Sequence, residues 1–398
     1  MKKTVRLFVL FVLLALVVGA CGTPATQAPA PAATEAPAMT EAPAATEAPA
    51  ATEAPAATEA SAPAEPTTAP AATEAPVMTE EPATTEAPAA TEAPAMEPFR
   101  VAVVMPSAIN DLAFSQSMYD ALLRVQEAMG GESAFEIVYS ENMFVVDDAA
   151  AAIRDYASQG YDLVIAHGSQ YGSSLQEIAP DFPETSFAWG TTVDTFGQPN
   201  IFAYEAASQE GGYVNGVIAA SLTTSDVIGV VGPIETGDAK LYVDGFKAGV
   251  AATNPDVEVN VNYIGSFSDV ALASEAANTH VSAGADVLTG TAQMVVGAIG
   301  VAEENDVLWF GTQSNQTSLA PSIVVANQVY HWEVVLNEII DSIHNGTLGG
   351  TSFTINLENG GEVIEYNPDY TLPAEVQTLA DDTVQGIIDG SITIEMAE

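Results

Sequence analysis

The chain has 398 residues, 48% of them hydrophobic and 7% aromatic, with eight basic against 53 acidic residues and a formal net charge of −45. Nucleic acid and anionic lipid are held by Lys and Arg, so a surface this acidic argues against both as direct partners. Cys21 is the only cysteine, which excludes an intrachain disulfide framework.

The first elements read as targeting rather than fold. Lys2, Lys3 and Arg6 form a basic start, and residues 7–18 are an unbroken apolar run of signal-peptide length, short for a membrane span. Val18-Gly19-Ala20 places small residues before the cysteine, so 1–20 resembles a bacterial lipoprotein leader, with Cys21 as the residue that carries lipid and anchors the chain to a membrane. From 21 to 98 the chain is built of Ala, Thr, Glu and Pro around a six-residue Ala-Thr-Glu-Ala-Pro-Ala unit. Nothing there can bury enough apolar surface to offset the entropy of ordering. Regular prolines favour extended polyproline II, so this stalk spans on the order of 200 Å between anchor and working domain.

The remaining 300 residues hold five basic and 41 acidic side chains, and exceed the size at which one core keeps growing, so two lobes are expected. Residues 100–105 (RVAVVM) predict a buried strand and 116–129 a helix. Strands at 135–140, 162–166, 185–189 and 201–204 alternate with helices at 147–158 and 171–178. The alternation then restarts with helices at 209–222, 238–252, 270–283 and 295–305, separated by strands at 227–231, 257–264, 286–288 and 307–310. Alternating strands and helices give parallel sheets covered on both faces. The remaining strand at 322–326, helix at 329–344 and strand at 351–355 predict a chain that crosses back. The expected fold is therefore α/β and two-lobed: lobe 1 from 99 to 205 with a return segment at about 325–350, lobe 2 from 206 to 324 with part of 351–398. Crossover strands link the lobes, and a cleft lies at the carboxyl ends of the sheets.

Five segments in order carry a resemblance: Asn110-Asp111-Leu112-Ala113-Phe114-Ser115-Gln116, Glu210-Gly211-Gly212-Tyr213-Val214-Asn215-Gly216, Tyr242-Val243-Asp244-Gly245-Phe246-Lys247-Ala248-Gly249, Gly265-Ser266-Phe267-Ser268-Asp269, and Phe310-Gly311-Thr312-Gln313-Ser314-Asn315-Gln316. Together they resemble the basic membrane protein or purine nucleoside receptor lipoproteins, the substrate-binding components of ABC importers with a type I periplasmic-binding-protein fold. The resemblance implies a small planar solute, nucleoside or nucleobase, stacked between Phe114 of one lobe and Tyr242 of the other. Positions on the family's motif loops add Asp111, Ser115, Gly168, Gln170 and Gln313 as expected contacts, and the aromatics Trp189, at a strand end, and Trp332, at the crossover, are expected to join them. The resemblance also implies an ABC permease as partner, membrane contact through the lipid anchor alone, and no cofactor. The chain departs from the family pattern where Gln313 replaces a carboxylate that holds ribose hydroxyls and where 167–171 (HGSQY) carries no aspartate. A Gln offers a different donor–acceptor set from a carboxylate, so a cleft that is more aromatic and less charged is expected.

Enzyme signatures are lacking. There is no Gly-x-x-x-x-Gly-Lys loop and no Gly-x-Ser-x-Gly elbow, and the four histidines are too scattered for metal-ligand spacing. A solute receptor is the expected function. A sugar receptor of the same architecture and a ligand sensor without transport are the alternatives.

Overall fold

The computed structural model describes residues 97–396. The leader, Cys21 and nearly all of the stalk expected from sequence lie outside the described residues.

Lobe 1 begins β1 (Phe99–Val104), α1 (Phe114–Met129), β2 (Phe135–Ser140), α2 (Val146–Ser158), β3 (Leu163–His167), α3 (Gly172–Ile178), β4 (Ser186–Gly190) and β5 (Ile201–Ala206). Lobe 2 continues α4 (Gln209–Leu222), β6 (Val227–Gly232), α5 (Gly237–Thr253), β7 (Glu258–Tyr263), α6 (Val270–Ser282), β8 (Val287–Gly290), α7 (Val295–Glu304), β9 (Leu308–Gln313) and β10 (Val324–Tyr330). The chain closes with α8 (Glu333–His344), β11 (Ser352–Ile355), β12 (Glu362–Tyr366) and α9 (Ala374–Ile388).

The strands form two six-stranded sheets, ordered β11-β5-β4-β3-β1-β2 and β12-β10-β9-β8-β6-β7. The first is parallel throughout, and the second is parallel except for β12, which runs antiparallel to β10. Strands such as LVIAH and VVANQVY are buried at every position because helices cover both faces, and the polar Asn327 and Gln328 of the latter are hydrogen-bonded there. In lobe 1 the core on one face joins Met118 and Leu122 of α1 to Leu336 and Ile339 of α8. On the other face Ile153 of α2 and Leu175 of α3 pack with Val164 and Phe187. Lobe 2 repeats the plan, with α6 and α7 on one face and α4, α5 and α9 on the other.

One expected boundary moves. The sequence suggests a return segment from about 325, but β10 pairs with β9 and β12 and stays in lobe 2, so the chain crosses only after Tyr330. A strand buried at all seven positions needs ladder partners on both edges, and the interior of the second sheet supplies them. Helix α8 then packs on α1, and β11 extends the first sheet beside β5. Asp147 and Asp148 lie in the first turn of α2 but make no capping bond; their contribution there is to the helix dipole.

Two of the quoted motifs are explained by packing. Helices α4 and α5 cross so closely that a Cβ at Gly216 would collide with the Phe246 carbonyl and one at Gly249 with the Tyr213 carbonyl. The Gly-x-Tyr-x-x-Gly and Gly-Phe-x-x-Gly patterns are thus the two sides of one helix contact.

Candidate functional site

In each sheet the strand order reverses beside the first strand of the lobe, at β1/β3 and at β6/β8. Ligands of open α/β sheets bind in the crevice outside the carboxyl ends of strands at such switch points. The two crevices face each other across one cavity. Lobe 1 lines it with Pro106 after β1, Phe144 after β2, Gly168 to Gln170 after β3, Thr191 after β4, and Phe114 at the start of α1. Lobe 2 adds Asp238 and Ala239 of α5, Phe267 after β7, Ala292 and Gln293 after β8, and Gln313 at the end of β9. The space between these atoms, which opens to solvent, is about 400 Å³.

Phe114 is held by a column of aromatic rings. His167 stacks on it with centroids 3.8 Å apart and planes 9° from parallel. The imidazole Nε2 lies 3.0 Å from the Phe114 carbonyl and Nδ1 lies 2.7 Å from the Tyr204 hydroxyl. A carbonyl only accepts, so Nε2 carries the proton and Tyr204 donates to Nδ1. Burial drives the His167 pKa down to about 3, which keeps the ring neutral. Trp332 braces Tyr204 and Tyr330 edge-on at 5.3 and 5.1 Å, and its indole N–H donates to Ser117 Oγ at 3.0 Å.

Four of the sequence-expected ligand residues meet at the cavity: Phe114, Gly168, Gln170 and Gln313. The other five are placed elsewhere, each with a physical reason. Asp111 accepts backbone N–H bonds from Ala113, Ser115 and Gln116 at 2.9–3.2 Å and the Ser107 hydroxyl, so its oxygens are spent on the first turn of α1. Ser115 is buried, with its hydroxyl 2.6 Å from that of Ser107. Trp189 stacks on Phe196 at 4.8 Å and donates to the Gly168 carbonyl at 3.2 Å, which supports the β3 loop from behind. Trp332 lies beneath the site, in the aromatic column. Tyr242 is fully buried in the lobe 2 core, its hydroxyl 2.7 Å from Thr289 Oγ1 and accepting from Asn215 at 3.2 Å, so it cannot stack on a ligand.

The ring that lobe 2 does present is Phe267. Ser266 Oγ accepts from the N–H groups of Ser268 and Asp269 at 3.2 and 3.1 Å, and Asp269 caps α6 by accepting from Leu272 N–H at 3.0 Å. The tight turn between them pins Phe267. An aromatic residue in a polar turn after a strand was the signal available for it, the same signal that marked Phe114.

Sequence reasoning also missed Asp238. An Asp in the first turn of a helix reads as a dipole partner, and nothing local separates that from a site residue. It is 9% exposed, and its carboxylate accepts from Thr191 Oγ1 of the opposite lobe at 3.2 Å and from the Tyr330 hydroxyl at 3.4 Å. Burial raises its pKa, while bonds from Thr191, Gln313, Tyr330 and Ala239 N–H oppose the rise. A carboxylate therefore stands beside Gln313, on a residue outside the expected set, and it is the one ionisable group lining the cavity. Two amide oxygens on the cavity, Gln293 Oε1 and Gln313 Oε1, are buried without a protein partner. Ala292 and Gln313 also hold left-handed backbone at φ +78° and +69°, a strain of roughly 1–3 kcal/mol each that collects at ligand sites.

The lobes touch at the rim, where Ser314 Oγ donates to the Ala113 carbonyl at 2.9 Å and Gln316 to the Leu112 carbonyl at 3.2 Å. No helix among the described residues is long and apolar enough to cross a membrane.

Comparison with known proteins agrees with this architecture. The chain is 25% identical over 296 residues to a purine-binding protein of Brucella abortus, covering 74% of this chain and 83% of that one. It is 26% identical over 310 residues to the ABC transporter nucleoside-binding protein BmpA of Lactococcus lactis, covering 72% and 86%. Among solved structures, a solute-binding protein of an ABC transporter system from Aeropyrum pernix superposes with a TM-score of 0.66 at 20% identity, covering 76% of this chain and 94% of that one. One from Conexibacter woesei gives 0.62 at 23% identity, covering 75% and 98%. The family model described as "ABC transporter substrate-binding protein PnrA-like" matches residues 99–396. The chain belongs to this Bmp family of extracytoplasmic, substrate-binding ABC transporter proteins.

Proposed function

We propose that this chain is a lipid-anchored receptor that takes up a purine nucleoside or nucleobase between its lobes and presents the closed form to an ABC permease. The reading is carried by one observation: each lobe contributes an aromatic ring, Phe114 and Phe267, to the same cavity. A planar solute between two rings gains area burial plus about 0.5–1.5 kcal/mol of stacking from each. The name of the Brucella relative supports a purine and that of the Lactococcus relative a nucleoside, and the leader ending at Cys21 supports the anchor.

The mechanism follows from the topology. Solute settles on Phe114 in lobe 1, and lobe 2 rotates about the three crossings after β5, β10 and β11. Phe267, Gln293 and Gln313 then arrive together, because their loops leave one rigid sheet. The closed form is stabilised only by what the solute adds to it over the open form. Calorimetric titration with adenosine, guanosine, their free bases and ribose tests the reading. Binding of a nucleoside or base with micromolar or tighter affinity is expected. Heat from ribose alone supports the sugar alternative instead, and silence toward all purines ends the purine assignment.

A further inference from the structure

The polar groups of the cavity are one-sided. Of the thirteen residues that line it, only Asp238 is ionisable, and none is Lys, Arg or His. Its partners Thr191, Tyr330 and Gln313 are neutral, so no cation offsets its charge. Burial raises the Asp238 pKa, and the bonds from Thr191, Gln313, Tyr330 and the Ala239 N–H, with the dipole of the α5 N-terminus where it lies in the first turn, oppose that rise. The two unpartnered oxygens, on Gln293 and Gln313, are also acceptors. Leaving a buried polar atom without a partner is costly, so these groups call for hydrogen-bond donors from whatever fills the space.

We propose that Asp238 is a specificity-determining residue: with Gln293 and Gln313 it admits solutes that bring O–H or N–H donors and rejects those that bring phosphate or carboxylate. This rests on the reading of this cavity as the binding site, and it names the charge class the site takes. A donor-bearing neutral solute pairs with the carboxylate and with both amide oxygens. An anion sits beside Asp238 in a space without a countercharge, where the low local dielectric strengthens like-charge repulsion.

The test is a titration of the purified protein with matched pairs, adenosine against adenosine 5′-monophosphate and ribose against ribose 5-phosphate. The wild type is expected to prefer the neutral member of a bound pair by about 100-fold or more. Asp238→Asn keeps the side-chain shape and an acceptor for Thr191, and is expected to cut that preference at least tenfold, chiefly by admitting the phosphorylated member. Phe267→Ala serves as control: it weakens both members and leaves their ratio unchanged. A wild type that binds a phosphorylated member as tightly as its neutral partner overturns the proposal, as does an unaltered ratio in Asp238→Asn. Binding confined to the ribose pair removes the purine reading and leaves Asp238 in its role. No response to any neutral member overturns both.

Discussion

Glu362 makes the stability of the molecule depend on pH in a direction opposite to that of most carboxylates. It opens β12, opposite Tyr330 of β10, beside the crossings that join the lobes, and it is 1% exposed. Its Oε1 accepts from the Gln328 amide and from Gly211 N–H, the latter at 2.9 Å. Its Oε2 and the Gln328 Oε1 are both buried without a partner. A proton on Oε2 supplies what both lack, because an acid and a primary amide can close a paired ring of two hydrogen bonds. Burial, with the nearby charges of Glu210 and Asp238, pushes the carboxyl from 4.5 up to about 8 against the opposing bonds from Gln328 and Gly211. Since the folded pKa lies above the unfolded one, the folded state binds the proton more tightly. Its contribution is complete below pH 4.5 and is lost as pH rises through about 8. At about 1.4 kcal/mol per pKa unit the full span is on the order of 5 kcal/mol, or roughly 10 °C in Tm for a domain of this size. The assay is a series of thermal melts of the purified protein from pH 4 to 9, wild type against Glu362→Gln, in which the other carboxylates cancel in the difference. The variant is expected to gain on the wild type steadily between pH 5 and 8. Parallel profiles refute the reasoning.

Three further outcomes follow from the geometry. Phe267→Ala removes the lobe 2 ring and is expected to weaken purine binding about tenfold or more, measured by calorimetry, with some loss of Tm because the ring is partly buried against the lobe 2 core. Tyr242→Phe deletes the hydroxyl between Thr289 and Asn215 and is expected to lower stability by about 1–2 kcal/mol in urea unfolding while leaving ligand affinity within about twofold; a large affinity loss restores Tyr242 to the site. Gly216→Ala drives a methyl into the Phe246 carbonyl, with an expected destabilisation of about 1–3 kcal/mol or more, read from the same unfolding curves.

The layer architecture was legible in the sequence because strands buried on both faces are written as continuous apolar runs, as LVIAH is. The crossing after Tyr330 was not: β10 runs through Asn327 and Gln328 to Tyr330, and those polar residues break the apolar run where the sequence suggests a strand ending at 326 and a helix from 329. At the cavity, Gly168, Gln170 and Gln313 stand where strands end, and Phe114, named through the motif resemblance, opens α1 beside them. Helix α5 was not legible in this way. Tyr242 and Asp238 lie one turn apart on α5 and so share one face; what separates them is position along the axis, Asp238 in the first turn beside the cleft and Tyr242 one turn further on in the lobe 2 core, and sequence does not say where along a helix the cleft ends. Asp111 misled for a related reason, because a carboxylate that caps a helix beside a site looks in sequence like one that serves it.

The central claim is that a planar, donor-bearing solute lies between Phe114 and Phe267. A crystal structure of the protein with adenosine tests it most directly. The account predicts the base between these two rings, with Asp238, Gln293 or Gln313 accepting hydrogen bonds from the solute. Adenosine bound away from both rings, or stacked on neither, contradicts it.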